Sequence, residues 1–187
     1  MSTLEQAEHL MREGAFQSAK TILSEIISED PNDLRAICDI GIAYTETGEN
    51  LKAIKALKYY IKKDKTNPYV WEALGCAQFR TGELDQARNS LSKSIEIMPD
   101  NPSSLRNLGI LNDLEGRHEE GLTLLQQSMR LCPQDYRTLY ALNYAFRDAG
   151  KHEEREKILD RLIEMDIPEG VQKEIELAKI KISLNWE

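Results

Sequence analysis

The 187-residue chain predicts an all-α fold of five stacked helix-turn-helix units and a last helix covering the end. Three observations predict it. Gly14, Gly48, Gly82, Gly116 and Gly150 stand 34 residues apart without a slip. Two apolar columns keep the same phase: Leu23, Leu57, Leu91, Leu125 and Leu159 follow the glycines by nine residues, and Ile27, Ile61, Ile95, Met129 and Ile163 stand four further on. Small residues flank the glycines in four units, with Ala7, Gly41, Gly75 and Gly109 before and Ala19, Ala53, Ala87 and Gly121 after.

Each unit reads as two helices joined at its glycine, because a glycine takes the left-handed conformation that ends a helix at little cost. The small residues let the two helix backbones approach closely. The leucine and isoleucine columns form one inward stripe on the second helix. Unit one covers residues 1–33, and Ser2-Thr3-Leu4-Glu5 reads as a capping box opening its first helix. Units two to five span 34–67, 68–101, 102–135 and 136–169. Pro31, Pro99 and Pro133 stop the second helices of units one, three and four, since proline cannot continue the hydrogen-bond ladder. Unit five has Asn143 and Arg155 in the two small-residue columns, which predicts a splayed or less tightly packed pair.

Residues 170–187 read as one helix with two apolar stripes. Leu177, Ile180 and Leu184 stand where they would cover unit five. Val171, Ile175, Ala178 and Ile182 form a spare stripe that either lies on the inner wall of unit five or serves as a homodimer contact or partner floor.

These columns resemble the tetratricopeptide repeat (TPR), whose 34-residue pattern runs W-x2-L-G-x2-Y, then A, then P. Unit three comes closest, with Trp71, Leu74, Gly75, Gly82, Ala87 and Pro99. Unit two supplies Ile40, Gly41, Tyr44, Gly48 and Ala53, and unit four Leu105, Leu108, Gly109, Gly116 and Pro133. Gln78 and Asn112 replace the usual tyrosine. The resemblance implies a right-handed superhelical solenoid with a C-terminal capping helix, its concave side lined by the first helices. It implies one domain over 1–187 that binds protein rather than catalysing a reaction.

Carried onto this chain, the family's groove places fall on Tyr69, Phe79, Arg106, Asn107, Ile110, Arg137, Tyr140 and Tyr144, among others. The aromatics offer rigid apolar contact, arginine a forked grip on carboxylates, and asparagine a pair for a peptide backbone. The implied partner is a peptide or helix with apolar or aromatic anchors and an acidic group. Cys38, Ile42, Glu72 and Cys76 stand where the family's chaperone-tail clamp needs lysine and asparagine, so binding of that kind is not expected. Two other readings stay open: a chaperone for a secreted or membrane-destined client, and a self-assembling scaffold.

The net charge of −8 argues against a general nucleic-acid binder. Lys52–Lys65 is the local exception, with six lysines against Asp64, and reads as a solvated helix face or a patch for an acidic partner. No apolar run approaches the roughly 20 residues of a membrane span. The N-terminus lacks a signal-peptide pattern, so a cytoplasmic location is the expectation. Cys38, Cys76 and Cys132 are odd in number and far apart, against a disulfide framework. His118 and His152 share a column but would stand on the order of 10 Å apart, too far to share a metal. No phosphate loop, zinc motif or nucleophile elbow is present. Neither catalysis, a metal nor a cofactor is expected.

Overall fold

The structure, a computed structural model, describes residues 3–183. Among them it contains eleven helices and no strand: α1 (Thr3–Arg12), α2 (Phe16–Glu29), α3 (Leu34–Glu46), α4 (Asn50–Ile61), α5 (Pro68–Arg80), α6 (Leu84–Ile97), α7 (Pro102–Leu114), α8 (His118–Leu131), α9 (Tyr136–Asp148), α10 (His152–Ile163) and α11 (Glu169–Ser183). Ser2 of the expected capping box and Leu184 of the last helix lie outside the described residues.

The turn between the helices of each pair is one device used five times. The comb glycines have φ between 67° and 80°. The residue after each donates its N–H five residues back, as Glu49 does to the Tyr44 carbonyl at 2.8 Å and Glu83 to Gln78 at 2.9 Å. This bond satisfies a carbonyl that the ending helix leaves open. A Cβ on the comb glycines would meet nothing within 4 Å, so conformation and not space selects glycine there. Gly41 and Gly75 are glycine for the opposite reason. A Cβ there would fall 2.6 Å from Leu57 and 2.7 Å from Leu91, so the leucine column lies directly against the neighbouring backbone.

A second periodic device opens the first helices. Asp33, Asn67, Asn101 and Asp135 repeat every 34 residues. Their side chains accept backbone N–H groups of Ala36 at 2.9 Å, Tyr69 at 3.0 Å, Ser104 at 3.2 Å and Arg137 at 3.2 Å. Each such cap is worth about 1 kcal/mol. At the other end, α2, α6 and α8 stop two residues before Pro31, Pro99 and Pro133, because the residue before proline is driven out of the helical region.

The chain forms two compact units, Met1–Ser104 and Leu105–Glu187, and the division falls inside α7. In the first, Leu23, Leu57 and Leu91 are fully buried. Around them gather Ala19, Ala36, Ile40, Ala53, Val70 and Leu74. In the second, one cluster holds Leu125, Leu139, Leu142, Leu159, Leu162 and Ile175. In unit five the small-residue pair is replaced by a polar one: Arg155, 4% exposed, donates its Nε to Asn143 Oδ1 at 2.9 Å. A cavity of about 220 Å³ opens beside this pair, next to α11.

Of the readings of the last helix, the structure matches the one in which the spare stripe packs inward. Ile175 is 1% exposed, and Val171, Ala178 and Ile182 lie against the same core cluster. Leu177 and Ile180, expected to cover unit five, are each 52% exposed. Within the chain, then, the spare stripe faces the core of the second unit, with Ile175 buried and Val171, Ala178 and Ile182 half-buried. Val171, Ile175, Ala178 and Ile182 recur at helical spacing over three turns and so present one apolar stripe to that cluster. Lys179 pairs with Asp160 and so ties α11 to α10.

Candidate protein-binding surface

In the first unit the sequence places Tyr69 and Phe79 on α5. Residues 69, 72, 76 and 79 fall within about 80° of one another around a helix turning about 100° per residue, so they share one face. Tyr69 is 55% exposed, and it is the one aromatic among the exposed large apolar side chains of the described residues. Phe79 and Cys76 are half-buried on the same face. Asn67 caps α5 at the Tyr69 amide, so the helix start that carries Tyr69 is fixed. Arg80, at the end of α5, donates to the Thr45 carbonyl and is held by its own chain.

One carboxyl in the acidic part of this unit holds its proton to higher pH than usual. Burial, then the charge of Glu8, raises the Asp39 carboxyl to about 6, although Arg35 opposes the shift. Arg35 itself pairs with Glu8. Burial pushes the Cys38 thiol up to about 12, so it is no nucleophile at neutral pH.

In the second unit three of the expected ligand-binding side chains are engaged internally. Arg106 Nη1 stands 2.6 Å from Asp135 Oδ2, the same Asp135 that caps α9 and accepts the Thr138 hydroxyl at 2.7 Å. Burial raises the Asp135 carboxyl, but the Thr138 hydrogen bond and the Arg106 charge outweigh it and hold the pKa below the ordinary carboxylate value. Tyr140 donates its hydroxyl to Glu174 of α11. The Tyr144 ring meets Tyr140 edge-on at 5.2 Å, and the two hydroxyls lie 3.2 Å apart. Burial, then the Glu174 hydrogen bond, raises the Tyr140 phenol above its ordinary value. The acid expected from a partner is thus supplied here by the chain itself. Arg106, Tyr140 and Tyr144 are half-buried and each has a partner within the chain. Of the remaining places, Arg137 is exposed, Asn107 is half-buried, and Ile110 lies partly buried against the core cluster.

A feature with no counterpart in the sequence expectations is an open cleft of about 410 Å³ in the first unit, between α2, α3 and α4. Ile37, Ile40 and Tyr44 of α3 line it, with Ile27 on one side and Lys52, Lys55, Ala56 and Tyr59 of α4 on the other. A signal for it is present: residues 52, 55, 56 and 59 have the spacing of one helix face. Finding it also requires knowing which neighbours that face meets.

A family profile described as the cilia and flagella-associated protein 70 C-terminal domain matches residues 1–186. The chain belongs to that family. Solved structures agree on the fold of this family member. TTC0263, a thermophilic TPR protein of Thermus thermophilus, has a TM-score of 0.78 at 17% identity, over 95% of this chain and 97% of its own. The pilF protein of Pseudomonas aeruginosa has a TM-score of 0.77 at 14% identity, over 98% of this chain and 84% of its own. A chain of the APC/C hetero-tetramer Cut9-Hcn1 has a TM-score of 0.83 at 16% identity, over 97% of this chain and 36% of its own. The chain is a TPR protein with an all-α, TPR-solenoid fold. No curated protein sequence matches it. No helix among the described residues is long and apolar enough to cross a membrane. Among the same residues, no group of three or more histidine, cysteine, aspartate or glutamate side chains is placed to hold a metal ion.

Proposed function

We propose that this chain is a non-enzymatic adaptor that grips a peptide or helical segment of another protein on the faces of its first helices. Membership of a TPR family supports a protein-interaction role in general, and the Cut9-Hcn1 assembly is one in which such a fold serves among protein partners. The observation that carries the finer reading is the exposure of Tyr69 at the capped start of a helix whose same face carries Phe79 about three turns on. A large aromatic exposed to water on a helix face is what interface anchors are made of. In the first unit Tyr69 and Phe79 are the anchors. In the second, Arg137 and Asn107 are the polar contacts and Ile110 the apolar one. The site lies in the cytoplasm under this reading.

A photoreactive amino acid at position 69 tests it. In the source cells, crosslinking should yield a discrete adduct with another polypeptide. The same group at Ser92, exposed on α6, should not. Equal adducts from both positions, or none from 69, would refute the assignment. Self-assembly is a second reading, favoured by the exposed Leu177 and Ile180 rather than by the buried stripe of α11.

A further inference from the structure

We propose that the cleft between α2, α3 and α4 is a second docking site, distinct from the Tyr69 face of α5. Its occupant is an acidic amphipathic segment of a partner protein. The cleft volume of about 410 Å³ lies within the roughly 300–1,000 Å³ range of ligand-binding clefts. Its floor is apolar, formed by Ile37 and Ile40 with Ile27 at the side. Such a floor takes one or two aliphatic or aromatic side chains and releases water in doing so.

Charge decides what flanks those side chains. The cleft wall on α4 carries Lys52 and Lys55, and the lysine run continues through Lys58, Lys62, Lys63 and Lys65 in a chain whose net charge is −8. Lys52 is answered by Glu49 at 2.6 Å, and Lys58 by Gln86 at 3.2 Å. Lys55 has no ion-pair partner among the described residues and lies at the cleft wall, exposed. Tyr59 adds a fixed end to the cleft, its hydroxyl donating to Asn32 at 2.6 Å. Lys63 lies 6.0 Å from the Tyr59 ring. Carboxylates placed beside the apolar side chains of an incoming segment meet this rim, and a basic segment is repelled by it. The opposite wall carries no charged lining residue: it is Ile27 and Pro31.

The test uses three fluorescein-labelled synthetic helical peptides with the same leucine and isoleucine spacing. One has glutamates at the flanking positions, one has lysines there, and one is a scramble of the glutamate peptide. Fluorescence anisotropy with the full chain should give saturable binding of the glutamate peptide alone, weakening as salt is raised. Lys55→Glu should weaken it about tenfold, a charge reversal at one rim contact. Lys55→Gln should fall between the two. Tyr69→Ala, on the first-helix face, should leave the affinity unchanged, which separates this proposal from the previous one. Amide shift perturbations should centre on Ile27, Lys55 and Tyr59. The proposal is overturned by equal binding of the lysine peptide or the scramble, by affinity that survives Lys55→Glu, or by shifts centred on α5. It is also overturned if Lys55→Glu abolishes only self-association in sedimentation, or only binding to phosphatidylserine vesicles.

Discussion

Replacing Ile175 by alanine removes three carbon atoms from a side chain that is 1% exposed. At about 0.8 kcal/mol per buried methylene, the lost transfer free energy is about 2.4 kcal/mol. The surrounding Leu159, Leu162 and Val171 close the hole only in part, so the total cost is about 2–4 kcal/mol. Leu177, two residues on, is 52% exposed, and Leu177→Ala should cost about 0.5 kcal/mol. The contrast isolates the rotation of α11, because both changes sit in one helix, and the larger propensity gain of Ile→Ala works against the predicted difference. Urea unfolding followed by circular dichroism gives the two free energies. Amide exchange of α10 and α11 shows whether the loss stays at the end of the array, as nearest-neighbour stabilisation requires. A Leu177→Ala cost equal to or above that of Ile175→Ala would refute the packing of the last helix described here.

Three further outcomes follow from the geometry. Asn101→Ala removes a buried cap that also donates to Ser94 Oγ at 3.2 Å and to Glu72 at 3.3 Å, and should cost about 1–2 kcal/mol in urea unfolding. Arg155→Ala leaves Asn143 without its 2.9 Å partner and should cost about 1–3 kcal/mol, whereas adding Asn143→Gly restores the small pair of the other units and should recover part of the loss. Asp39 has a folded pKa of about 6, above its unfolded value, so its contribution is fully present below the unfolded pKa and is lost as pH rises through about 6. Asp39→Asn should therefore raise the melting temperature more at pH 7 than at pH 4; an equal change at both would contradict the assignment.

Most of the fold is legible because the repeat writes it several times over. Gly14 to Gly150 state the turn, Leu23 to Leu159 state the core, and Gly41 and Gly75 state how close the backbones come. One further periodic column, Asp33, Asn67, Asn101 and Asp135, is just as readable, but the prolines beside it are the louder boundary signal and hide the caps. The rotation of α11 is not legible. Both of its stripes are apolar, and only the neighbours decide which one is buried. That same unknown conceals the fate of Tyr140 and Tyr144, whose hydroxyls meet Glu174 only once α11 is turned inward. The ion pair of Arg106 is hidden for a related reason: its partner Asp135 is 29 residues away, and one aspartate serves as both helix cap and counter-ion. The lysine run is visible, but the apolar cleft beside it is made by three helices and has no signature in any one of them.

The central claim is that an exposed aromatic face on α5 grips a partner polypeptide. Affinity purification of the wild type beside Tyr69→Ala/Phe79→Ala, both confirmed as folded by melting curves and compared by quantitative mass spectrometry from the source cells, tests it most directly. The account predicts that a defined set of proteins is retained by the wild type and lost from the double variant. An identical set from both would contradict it.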